Sequence, residues 1–167
     1  MNEDGNGSSQ YYYKPADSQS TKAYAGPCWD YDSTFACFAP SKAREGIIKA
    51  DAFHTNKGAS SDYWWPQLYL KTEFKDAVMA AWKSKYRTAM QILMGEALDV
   101  TGQLQSVDTY AAAIAKSAEM NFLRWPISSS KFARNVKRTG LTWEANLTYL
   151  KSILRTRFDF LDKQWNK

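Results

Sequence analysis

Three rows of apolar side chains recur at helical spacing through the second half of the chain, and they constrain its fold more than any other feature. The first is Phe74, Val78, Trp82, Tyr86, Ala89 and Leu93. The second is Val107, Ala111, Ile114, Ala118 and Phe122, and the third is Trp143, Leu147, Leu150, Leu154, Phe158 and Leu161. Apolar residues three and four apart lie on one face of an α-helix, and such a face must be buried against another. Three such helices cover one another, which predicts a bundle with Trp82, Ile114, Leu150 and Leu154 inside. Thr72, Ser106 and Thr142 stand where N-caps are needed, and Glu144 falls in a first turn, where an acid complements the helix dipole. Pro126 ends the second helix, because a proline disfavours helix in the residue before it. Gly95 and Gly102 bracket a shorter turn of helix.

The first forty residues follow a different pattern. "QYYYKP" (Gln10 to Pro15) and "AYAGP" (Ala23 to Pro27) have strand composition and enclose the polar turn "ADSQSTK". Together they predict a hairpin that runs directly into Trp29-Asp30-Tyr31-Asp32. The fold class expected is α+β, mainly α, in one domain. Residues 1–40 form a β segment carrying an acidic site, 41–70 an irregular connection punctuated by proline and glycine, and 71–167 a helical bundle. With 167 residues and 44% apolar content, there is material for one core. No internal repeat is visible.

Several function classes are excluded or left open by composition. The formal charge of +5 gathers around "KFARNVKR" and "LKSILRTR", which favours anionic partners but carries no DNA-binding motif, so no nucleic acid is expected. No run of about 18 apolar residues exists to span a membrane. The polar, acidic opening "MNEDGNGSSQ" does not read as a signal peptide. Cys28 and Cys37 fit a small-loop disulfide in an exported protein and two thiols otherwise. Two cysteines with the single histidine, His54, are too few for a zinc site unless an acid joins them. "GNG" (Gly5 to Gly7) lacks the third glycine and preceding strand of a phosphate loop, and "NLT" (Asn146 to Thr148) lies inside a predicted helix.

Asp30 and Asp32 are the candidate chemistry. Alternate residues at a strand end share a face, and two carboxylates so placed repel unless a cation lies between them. A hard divalent ion resolves this, since Mg²⁺ takes one or two carboxylates together with substrate phosphates. The structural alternative is that one acid caps a turn and the other pairs with a lysine or arginine.

The run "NEDGNGSSQYYYKP" followed by "AYAGPCWDYDSTFACF" resembles the catalytic segment of the spore-coat protein H (CotH) family of atypical protein kinases. That family shows Asn-x-Asp, an aromatic strand ending in a basic residue, and then a Pro-Trp-Asp-x-Asp or Pro-x-Trp-Asp-x-Asp element. "DYWWPQLYLKTEFKDAV", "AEMNFLRWP" and "LTYLKSILRTRFDFLD" are similar to its helical C-terminal part, in the same order. The resemblance implies an ATP- and Mg²⁺- or Mn²⁺-dependent enzyme that phosphorylates Ser or Thr of protein substrates at a cell surface, spore coat or outside the cell. It implies that Asp30 binds the metal bridging the nucleotide phosphates, that Asp32 supports it, and that Asp4 orients the acceptor hydroxyl. Ser9 stands where the family often has an asparagine for a second metal, and a hydroxyl is the weaker ligand. The family's phosphate-holding lysine, its glutamate and the cover over the nucleotide lie upstream of Asn-x-Asp. The expectation is therefore of the C-terminal lobe of such a kinase, inactive without that upstream segment. The alternative is a non-catalytic surface module whose aromatic stretches, "YYYK" and "YWWPQLY", bind carbohydrate or peptide.

Overall fold

The computed structural model describes residues 11–29, 67–125 and 142–167. In chain order these hold β1 (Tyr12–Tyr13), β2 (Tyr24–Ala25), α1 (Thr72–Ala81), a π-helical turn (Trp82–Tyr86), α2 (Arg87–Leu93), α3 (Val107–Arg124) and α4 (Trp143–Trp165). The protein is mainly helical with a short N-terminal antiparallel hairpin, the class expected. None of the described helices is long and apolar enough to cross a membrane.

The packing centres on α4. Thr142 caps it, its Oγ1 accepting from the Ala145 amide at 3.1 Å, and Glu144 lies in the first turn. The Asn146 carboxamide donates to the Thr142 carbonyl at 2.7 Å, so the asparagine of "NLT" is engaged in a helix terminus. The apolar row lies on the face predicted, but its burial is graded. Leu154, Phe158 and Leu161 are buried, whereas Trp143, Leu147 and Leu150 are half-buried. Phe158 and Leu161 meet Trp82, the most buried large side chain at 2% exposure, and Met90, Met94, Phe160 and Trp165 close around them. Trp82 packs against Phe158 at 5.9 Å between centroids and edge-on against Trp165 at 5.8 Å.

The run from α1 to α2 departs from the sequence expectation in an informative way. Lys71, not Thr72, is the N-cap, with no side-chain cap bond; Thr72 is already helical. At Trp82 the ladder widens, and the Arg87 amide bonds back to the Trp82 carbonyl, five residues away. One extra residue in a turn shifts everything after it by one position. The side chains packed on Trp82, Phe158 and Leu161 are consequently Met90 and Met94, with Arg87 reaching Asp162, where the regular spacing predicts Tyr86, Ala89 and Leu93; Ile92, on neither row, is the buried residue of α2 at 7% exposure. Tyr86 is 53% exposed, while Ala89 and Leu93 are half-buried.

Helix α3 is held more lightly. Ser106 caps it as predicted, accepting from the Thr109 amide at 3.1 Å. Ala111 is buried, and Val107, Ala118 and Phe122 are half-buried. Ile114, predicted inside, is 51% exposed. The α3–α4 contact includes an edge-on Phe122–Trp143 pair at 6.2 Å and an exposed ion pair between Lys151 and Asp108 at 2.9 Å. Helix α3 ends at Arg124, and Trp125, before Pro126, has left the helix at φ −129 and ψ 87. No helix forms between Gly95 and Gly102. Both glycines have positive φ, 78° and 69°, and the Asp99 carboxylate organises the loop by accepting from the amides of Thr101, Gln103 and Leu104.

Two outcomes follow for stability. Deleting Ser84, an exposed residue of the π turn, leaves Arg87, Met90 and Met94 four, seven and eleven positions after Trp82, the spacing of a plain α-helix face. The deletion variant is expected to melt within about 3 °C of the wild type or above it; a fall of about 10 °C or more would contradict this reading of the turn. Leu154→Ala is expected to cost about 2–5 kcal/mol, and Ile114→Ala less than about 1 kcal/mol, in urea unfolding. Equal costs would show that α3 is buried on the wrong face here.

Candidate functional site

The hairpin delivers the chain to the acidic pair. Its register puts Tyr12 opposite Ala25 and Tyr13 opposite Tyr24, and the Gly26 amide extends the ladder to the Tyr11 carbonyl at 2.8 Å. Gly26 has a φ of 133°, a conformation side chains oppose, so the bend after β2 calls for glycine. Polar bonds at the tip hold the hairpin. The Lys14 ammonium donates to the Pro15 carbonyl at 3.1 Å, to the Ser20 carbonyl at 3.0 Å and to the Asp17 carboxylate. Ser20 Oγ lies 3.0 Å from the Tyr24 hydroxyl and accepts from the Lys22 amide at 3.1 Å. Tyr13 and Tyr24 stack across the strands with centroids 5.3 Å apart, as directly opposed aromatics do. Lys14, the basic residue ending the aromatic strand, is thus the organiser of the turn.

Beyond Gly26 the backbone reaches Cys28, a free exposed thiol, and Trp29, which is 62% exposed. Asp30 is the next residue in the chain. Asp4, Ser9, Asp30 and Asp32, together with Cys37 and His54, lie outside the described residues. The described hairpin segment ends at Trp29, one residue before Asp30. Carboxylate oxygens, the donors that Asp30 and Asp32 offer by residue type, are the ligands a hard divalent cation takes. Among the described residues there is no group of three or more His, Cys, Asp or Glu side chains able to hold a metal.

One polar centre was not foreseen from the sequence. The Asp162 carboxylate on α4 accepts from Trp82 Nε1 at 3.1 Å and from Arg87 Nε at 2.8 Å on Oδ1, while Asn166 Nδ2 and Arg87 Nη2 lie 3.5 Å from Oδ2. The Arg87 guanidinium also stands over the Phe158 ring at 5.7 Å. Five residues separate Trp82 and Arg87, about 140° around a regular α-helix, so a plain helix cannot turn both toward one carboxylate. The π turn brings them together. Burial alone would raise the Asp162 pKa, but the hydrogen bonds from Arg87 and Trp82 and the guanidinium charge outweigh it and hold the carboxyl below its ordinary range. A weak signal for this centre exists in the sequence, since Asp162 directly follows Leu161 at the rim of the apolar row. Nothing in the spacing joins it to a residue 75 positions away. Trp165 Nε1 donates to the Tyr69 hydroxyl at 2.9 Å, tying the start of the helical region to its end.

The linkage has a definite sign. A carboxyl whose folded pKa is depressed stabilises the fold above its unfolded pKa of about 4, and that contribution fades as pH falls through the lower folded value. Arg87→Leu is expected to cost about 1–3 kcal/mol at pH 7, less than a fully buried pair because Arg87 is partly solvated. The gap between variant and wild type should narrow below about pH 4 in urea titrations. A gap unchanged at acid pH would show that Arg87 acts through packing alone.

The family model described as CotH kinase protein matches residues 1–161, nearly the whole chain. No curated protein and no solved structure matches it. The matched span takes in the segment from Asn2 to Asp4, the hairpin, the Trp-Asp-x-Asp element and the helical region as far as Leu161. The chain belongs to the CotH kinase protein family.

Proposed function

We propose that this chain supplies the metal-binding and acceptor-orienting acids of an ATP-dependent kinase that phosphorylates Ser or Thr of protein substrates. The observation that carries the reading is the Trp29-Asp30-Tyr31-Asp32 element directly after the hairpin, in a chain matched by the family model over residues 1–161. In this reading Asp30 is the principal ligand of Mg²⁺ or Mn²⁺, and Asp32 stands beside it. A divalent cation held there neutralises charge on the nucleotide phosphates. Asp4 accepts a hydrogen bond from the acceptor hydroxyl and holds it for attack. Ser9 offers a neutral hydroxyl where a carboxamide would bind a second ion better. Work at a cell surface or in a spore coat belongs to the same proposal, as do protein partners rich in accessible Ser or Thr.

A second reading rests on the hairpin's aromatic surface. Tyr11, Tyr12, Tyr13, Tyr24 and Trp29 are between 41% and 62% exposed. Such rings present flat apolar faces with polar edges, which suit sugar rings or extended peptides. That reading needs no metal.

Calorimetry with Mn²⁺ or Mg²⁺ separates the two. Asp30→Ala is expected to weaken binding at least about tenfold, the loss of one charged ligand, while Asp17→Ala in the hairpin turn leaves it unchanged. Equal binding by wild type and Asp30→Ala would overturn the metal site. Transfer of labelled γ-phosphate, measured on the gene product carrying residues 1–167, should need the divalent ion and fall about a thousandfold in Asp30→Ala and Asp4→Ala. Transfer undiminished in both variants would remove these acids from the chemistry. Polysaccharide binding that persists in EDTA and is lost in Tyr13→Ala would favour the aromatic reading.

A further inference from the structure

We draw no further inference here: the strongest candidate, the surface loop between α2 and α3 that the Asp99 carboxylate fixes while Leu98 and Val100 stand 91% and 98% exposed, is an unpartnered apolar patch, and nothing in the structure shows what covers it.

Discussion

The Asp162 carboxylate is the constraint around which the helical region is arranged. A charged group at the edge of an apolar core is tolerated only when its lone pairs are met. Here two donors come from one helical run, Trp82 Nε1 and Arg87 Nε, and both reach the same oxygen. Their separation of five residues is incompatible with regular α-helix geometry at a single acceptor, and the π turn between them removes the conflict. The same turn brings Met90 and Met94 onto Trp82, Phe158 and Leu161. One polar requirement and one apolar requirement are thus met by a single local departure from the α-helix.

The hairpin obeys a different economy of forces. Two strands of two residues each have little ladder to hold them, and isolated two-stranded hairpins are marginal in water. Local polar bonds fill the deficit. Lys14 ties both ends of the turn, Ser20 reaches Tyr24, and the Tyr13–Tyr24 stack crosses the strands. Gly26 then bends the chain ahead of Trp29.

The sequence was legible where one physical rule dominated. Ser106 and Thr142 cap their helices because each side-chain oxygen accepts from an amide three residues on that has no partner within the helix. The α4 row stands out because six apolar residues share one uninterrupted face. The α1–α2 run misleads because two overlapping rows are apolar. Tyr86, Ala89 and Leu93 continue the regular spacing, while Met90 and Met94 lie one residue later, and the π turn puts the later pair against Trp82, Phe158 and Leu161. That selection is tertiary and has no local signature. Ile114 misleads for another reason: the face of α3 that is covered is narrow, with Ala111 its buried residue, and an apolar position at the margin of a narrow face can stay in water. In sequence the glycines at 95 and 102 bracket a helical turn, but positive φ at both suits a loop, and Asp99 supplies the bonds that a helix makes internally. For Asp4, Ser9, Asp30 and Asp32, the residue types and order carry the reading.

The central claim is that a divalent cation binds immediately after the hairpin, at Asp30. Paramagnetic Mn²⁺, added at a small fraction of the protein concentration, broadens NMR signals according to their distance from the bound ion. The account predicts that the Trp29 indole N–H signal broadens well before those of Trp82 and Trp165, and that this order disappears in Asp30→Ala. Uniform broadening of all three, or preferential broadening at Trp82 in wild type, would contradict it.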